Sequence, residues 1–129
     1  MNILLSGGAG YIGSHAALSL IDKGHSVHIV DNLSTGSKLL IPKKAKFTYC
    51  NINDESKISD LIKSEKFDLL MHFAGFIQVE ESVQNPEKYF QNNTNYAIKL
   101  FNTCKNNGLN KIVFSSTAAA YGTVTENKL

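Results

Sequence analysis

The chain has 129 residues, enough for one domain that buries roughly two thirds of the surface its unfolded form exposes. With 43% hydrophobic and 19% charged residues, the composition is that of an ordinary soluble globular protein and excludes intrinsic disorder. A formal net charge of +2, with 13 lysines of which only Lys43, Lys44 and Lys46 cluster, gives no footing for nucleic acid, and no apolar run approaches the ~20 residues of a membrane helix, so a cytoplasmic protein is expected.

The apolar run Ile3-Leu4-Leu5 reads as a buried first strand, and Ser14 to Ile21 as a helix. Between them lies Ser6-Gly7-Gly8-Ala9-Gly10-Tyr11-Ile12-Gly13. A sharp strand-to-helix turn needs backbone angles that side chains forbid, which Gly7 and Gly8 permit. At the helix start, free N–H groups and the positive end of the dipole attract a pyrophosphate, and a Cβ at Gly10 would obstruct its approach. Gly13 allows close packing of helix and strand. The spacing is G-x-x-G-x-x-G, one residue wider than the usual dinucleotide fingerprint, so the pattern is met in kind and not in detail.

Lys23 and Gly24 close the helix, and Val27-His28-Ile29-Val30-Asp31 reads as the second strand. Asp31 stands eighteen positions after Gly13, close to the interval of about 20 expected for the acid that binds the adenosine ribose. At about 4 Å it would repel a 2′-phosphate by up to ~4 kcal/mol at an effective dielectric of ~20. NAD is therefore expected over NADP, in keeping with a chain that has no Arg. Asn32 to Lys38 is a polar loop that either folds over the adenosine end or is plain turn chemistry facing solvent.

Lys46 to Cys50 reads as the third strand, and Asp54 as the N-cap of a helix with Ile58, Leu61 and Ile62 on its buried stripe. Asn51 and Ile52, at the strand exit, lie near an adenine if the strands are parallel, and otherwise serve a turn. Leu69 to Phe73 is the fourth strand, and the small residues Ala74-Gly75 leave its end open. Asn85, Pro86 and Glu87 start the longest helix, with Tyr89, Tyr96, Leu100, Phe101 and Cys104 inward and Gly108 at its end. Asn92 and Asn93 sit mid-helix against propensity, either as exposed amides or as amides reaching a ligand. Lys111 to Ser115 is the fifth strand and runs into Ser116-Thr117-Ala118-Ala119-Ala120-Tyr121-Gly122, whose hydroxyls stand where open sheets bind ligands or else bond to local backbone. Cys50, Cys104 and the histidines His15, His25, His28 and His72 show no ligand spacing, so a metal site is not expected.

Strand and helix alternate five times, which predicts an α/β fold, a doubly wound parallel sheet of order 3-2-1-4-5 with its ligand crevice between strands 1 and 4.

Taken together, Gly7 to His15, Asp31 to Gly36, His72-Phe73-Ala74-Gly75, Glu81-Ser82-Val83 with Pro86, Tyr89, Asn92 and Asn93, and Phe114 to Thr117 with Tyr121-Gly122 resemble the extended short-chain dehydrogenase/reductase family, above all its UDP-sugar 4-epimerases. The resemblance runs the length of the chain. It implies a Rossmann domain over residues 1–129 and NAD as cofactor. The backbone at Tyr11 and Ile12 would meet the pyrophosphate. Asp31, Asn32, Leu33, Ser34, Thr35 and Gly36 would hold the adenosine, and Asn51 and Ile52 the adenine. Phe73, Ala74, Gly75 and the position of Ile77 would face the nicotinamide half, with Asn92 and Ser115 beside it. Thr117 matches the hydroxyl that assists proton transfer at the sugar's 4-hydroxyl; in such enzymes a tyrosine takes that proton while C4 passes hydride to NAD, and the 4-keto sugar turns over.

Three departures qualify what the resemblance implies. Asn51 stands where many members have Asp, and Ile77 where some have Lys. The catalytic Tyr-x-x-x-Lys does not occur in the sequence. The expectation is an NAD-binding N-terminal part, inactive alone and lacking the lobe that grips UDP. Its parent is expected to be a homodimer, and the part itself is expected to self-associate through an open sheet edge. The alternatives are another nucleotide-sugar epimerase or dehydratase, and a non-catalytic NAD-binding module.

Overall fold

In a computed structural model, residues 1–122 are described. Five strands, β1 (Asn2–Ser6), β2 (Ser26–Asp31), β3 (Lys46–Tyr49), β4 (Leu69–His72) and β5 (Ile112–Phe114), form one parallel sheet of order β3-β2-β1-β4-β5, as predicted. The helices are α1 (Tyr11–Asp22), α2 (Glu55–Glu65), α3 (Val79–Gln84), α4 (Pro86–Tyr89) and α5 (Ala97–Asn106).

Alternate residues of each strand supply opposite faces of the sheet. Leu4, Val30 and Leu70 pack with Ile58 and Ile62 of α2 and with Leu100 and Cys104 of α5. Leu5, Val27 and Ile29 pack on the other face with Ala17 of α1. Helices thus cover both faces, and all five strand exits lie at one end of the sheet.

The predicted caps hold. The Asp54 side chain accepts from Lys57 N, the Asn85 side chain from Lys88 N, and Gly24 and Gly108 adopt φ of +82° and +83° after their helices. The sequence reading differs in three places. Helix α1 begins at Tyr11, three residues earlier than expected, because Gly10 serves as its N-cap. The short helix α3 was not foreseen. The long helix is not uniform: Phe90–Tyr96 between α4 and α5 forms a π-helix, a wider turn that is frequent at functional sites.

Candidate functional site

The glycine turn joins β1 to α1 at the strand exits. Gly7 has φ of +77°, and a Cβ there would stand 2.5 Å from the backbone N of Ala74 beyond β4, so glycine is required twice over. Gly8 does not share that conformation; what forbids a side chain there is Ile29, whose Cγ1 would lie 2.6 Å from it. A Cβ at Gly13 would meet Gly7 O at 2.2 Å, so that glycine seats the helix on the turn itself. Gly10 differs from these. Its Cβ would meet only Gly7 O, at 3.4 Å, so nothing among the described residues demands a bare backbone there. Among the described residues no side chain caps α1, no acid occupies its first turn, and Tyr11 and Ile12 are exposed there. The positive end of the helix therefore faces open space over a residue that leaves room for an anion.

Asp31, at the exit of β2, is only 8% exposed. Its Oδ2 accepts from Ala9 N at 2.9 Å and its Oδ1 from Leu33 N at 2.7 Å. An ionised carboxylate offers about four acceptor positions, so about two remain for a diol. The second bond also steadies Leu33, which holds a φ of +56° unusual for a residue with a side chain. The loop after Asp31 is folded against the glycine turn: Ser37 N donates to Ala9 O at 2.9 Å, and a Cβ at Gly36 would touch Ala9. Asn32 Oδ1 accepts from Ser34 N at 3.0 Å, closing an Asx turn, while Ser34 and Thr35 are exposed.

Across the crevice, Phe73 N donates to Ser6 O, and Ala74 and Gly75 follow without bulk. Asn93 clamps the next residue: its Oδ1 accepts from Phe76 N and its Nδ2 donates to Phe76 O, both at 2.9 Å. Asn92 Nδ2 donates to the same Asn93 oxygen at 2.8 Å. The π-helix brings both amides to the strand exits, and the mid-helix asparagines are thereby divided between loop holding (Asn93) and the crevice wall (Asn92). Under the glycine turn, Ser6 Oγ and His72 Nδ1 share a buried hydrogen bond of 2.6 Å, with Phe114 stacked on the imidazole. Burial pushes His72 down to about 4, so it is neutral at physiological pH.

A cavity of about 290 Å³ lies over this edge, lined by Asn32, Asn51, Phe76, Lys88, Asn92 and Tyr96 among others. It unites residues from the β2 exit, the β3 exit, the β4 exit and the π-helix. A larger cavity, about 440 Å³, opens at the opposite end of the sheet beside Lys63, Lys66 and Asn107 and holds none of the predicted residues. The first lies at the strand exits, on the same end of the sheet as the glycine turn and Asp31, and is lined by Asn32, the residue that follows that acid.

Among the other predicted positions, Asn51 is exposed at the cavity, whereas Ile52 packs its side chain into the core and offers only main chain. Ile77 is exposed. Ser115 N donates to His72 O, extending the sheet ladder, and the Thr117 hydroxyl accepts from Ala119 N at 3.2 Å on the exposed surface beyond β5. Gly122 is the last described residue, and positions 123–129 of the expected domain lie outside the described residues. Sequence reasoning missed the tie from Asp31 to Ala9 and the Asn93 clamp. The signal for the clamp was present, in a paired Asn where helix propensity disfavours it.

A parallel sheet of order 3-2-1-4-5, a glycine turn opening onto a helix N-terminus and an acid at the next strand's tip define a Rossmann-type dinucleotide-binding domain. The chain belongs to the NAD dependent epimerase/dehydratase family, whose model matches residues 3–128. It is 45% identical over 122 residues to the UDP-glucose 4-epimerase of Lacticaseibacillus casei, covering 95% of this chain and 37% of that protein. It is 40% identical over 130 residues to a putative UDP-arabinose 4-epimerase of Arabidopsis thaliana, covering 94% of this chain and 31% of that one. Among solved structures it resembles the UDP-glucose 4-epimerase of Brucella ovis in complex with NAD, with a TM-score of 0.92 and 33% identity, covering 98% of this chain and 38% of that one. The chain thus spans about a third of the length of these relatives.

Proposed function

We propose that the chain is the cofactor-binding portion of an NAD-dependent UDP-sugar 4-epimerase, a cytoplasmic protein whose full-length form inverts the sugar's C4 as a homodimer. The observation that carries this reading is the conjunction of Asp31 and the glycine turn. One carboxylate is bonded to Ala9 N and keeps acceptor capacity beside a helix end whose Gly10 leaves space that the protein itself does not use.

In this reading the first-turn N–H groups of Tyr11 and Ile12 hold the pyrophosphate, and Asp31 accepts from the ribose hydroxyls. The loop Asn32 to Gly36 walls the adenosine, and Asn51 with the main chain of Ile52 meets the base. Phe73, Ala74, Gly75 and Ile77 flank the nicotinamide half, with Asn92 and Ser115 beside it. NAD supplies a reversible acceptor for the hydride at C4. Thr117 serves the sugar's 4-hydroxyl, and giving its oxygen to a substrate means competing with its bond to Ala119 N. Relatives acting on glucose and arabinose derivatives are similarly close to this chain, which supports placing sugar choice outside these residues.

The test has two arms. Isothermal calorimetry of the chain with NAD should give saturable binding, and none would defeat the reading. A product assay should show no interconversion of UDP-glucose and UDP-galactose by the chain alone, and turnover would refute the division of labour between this portion and the Tyr-x-x-x-Lys that the sequence lacks.

A further inference from the structure

The cavity over the strand exits presents amides, not carboxylates, to whatever base enters it. Asn32 and Asn51 face each other across its β2–β3 side, Asn92 and Gln91 line the other, and Phe76 contributes apolar surface. The one cation there among the described residues is already engaged: Lys88 Nζ is paired with Glu81 Oε1 and lies 4.7 Å from the centre of the Phe76 ring. Base reading at this end is therefore left to neutral groups.

The two amides are not held alike. Asn32 has its Oδ1 fixed by Ser34 N at 3.0 Å, so its Nδ2 is a fixed donor. Asn51 is exposed, and its side chain is oriented by a single long contact, its Oδ1 accepting from Asn32 Nδ2 at 3.4 Å. Turning the Asn51 amide over gives up that long contact and faces its NH2 toward the Asn32 donor, from which the exposed side chain has room to swing away.

From this we infer that Asn51 makes the base subsite permissive, accepting 6-amino and 6-oxo purine dinucleotides alike. The inference deepens the NAD reading and rests on it. An amide pairs with adenine by accepting from the 6-amino group and donating to N1. After a half-turn it pairs with hypoxanthine by donating to the 6-oxygen and accepting from the N1 hydrogen. A carboxylate at this position has no donor, matches only the amino group and sets a charge against the 6-oxygen. Asn51 is thus the specificity-determining residue of the subsite, and what it determines is tolerance.

The test is calorimetric titration of the chain with NAD and with nicotinamide hypoxanthine dinucleotide. The expected result is two dissociation constants within about threefold of each other, because each base finds one acceptor and one donor. The Asn51→Asp variant should separate them by about tenfold or more in favour of NAD, since the 6-oxygen then meets an unpaired charge. Asn51→Ala, which offers neither group, should weaken both equally. A tenfold or greater preference of the unmodified chain for NAD, or an unchanged ratio in Asn51→Asp, overturns the inference while leaving the cofactor reading intact. Binding of neither dinucleotide defeats the cofactor reading and this inference with it. The Asn51 side chain is exposed, and thermal melts of the variants confirm that affinity, not folding, is being compared.

Discussion

Asp31 Oδ2 accepts a hydrogen bond from the backbone N–H of Ala9 at 2.9 Å, joining the tip of β2 to the middle of the glycine turn. Ala9 is fully buried, and its carbonyl also receives Ser37 N, so the turn and the loop that would flank a ribose are one fastened unit. The acid expected to select the cofactor also builds the surface on which the cofactor would rest.

These two roles separate by substitution. Asp31→Ala leaves a buried N–H without a partner and should cost about 1–3 kcal/mol in urea unfolding, along with the loss of dinucleotide affinity. Asp31→Asn keeps an acceptor oxygen and should cost less stability, yet it removes the charge that repels a 2′-phosphate, so affinities for NAD and NADP should converge. An Asn variant that discriminates as well as the unmodified chain would show that the charge is not the selector.

Gly7 and Gly10 should respond in opposite ways. Gly7→Ala forces a side chain into a left-handed backbone and onto the backbone of Ala74, so a loss above about 3 kcal/mol, or failure to fold, is expected. Gly10→Ala meets no such obstacle and should change stability by less than about 1 kcal/mol while weakening NAD binding about tenfold or more. Thermal melts and calorimetry on both variants check the pair. Undiminished affinity in Gly10→Ala would mean that no phosphate passes that residue.

Asn93→Ala removes both bonds to the Phe76 peptide. The expected loss is about 1–2 kcal/mol, with faster hydrogen exchange at the Phe76 amide. Asn95→Ala, on the same π-helix, breaks only a surface contact with Gln91 and should leave Phe76 protected. Equal exchange in the two variants would remove Asn93 as the clamp.

Acid should weaken the fold through His72. The group is 1% exposed and held neutral down to about 4, whereas in the unfolded chain it titrates near 6.5. Between those values the unfolded state binds the extra proton, so stability falls as pH drops through the window, by up to about 3 kcal/mol at its lower end. His28, lowered mainly by burial, acts in the same direction. Urea unfolding at about pH 4.5 and about pH 7.5 should show this slope, and His72→Asn should make it shallower without abolishing it. An unchanged slope in the variant would place the acid sensitivity elsewhere.

The outer edge of β5 pairs with no strand among the described residues, and Ile112, Val113 and Phe114 are 38%, 47% and 54% exposed. Such an edge templates further pairing. Light scattering of the chain should show association that grows with concentration, and Val113→Lys should suppress it. A monomer at all concentrations would remove this edge as an interface.

The sheet order was legible because short apolar strands alternate with capped helices, and Asp54, Asn85, Gly24 and Gly108 mark helix ends by local chemistry alone. The glycine turn was legible as a turn, and so were the backbone freedom of Gly7 and the close packing at Gly13, but the reason for Gly8 was not. Gly8 is excluded by Ile29 on another strand, a contact that no spacing along the chain encodes. The π-helix was hidden for a related reason: Tyr89 before it, Tyr96 at its end and Leu100 and Cys104 after it keep an apolar stripe, so the local widening leaves the pattern intact. Asp31 was found from its distance to Gly13, while its bond to Ala9 depends on the register of β1 against β2.

The most direct measurement is calorimetric titration of the unmodified chain with NAD and with NADP under the same conditions. If Asp31 and the glycine turn form a dinucleotide site, NAD binds saturably and NADP binds about tenfold or more weakly, because the 2′-phosphate meets the carboxylate. Equal affinities, or no binding of either, would contradict the account.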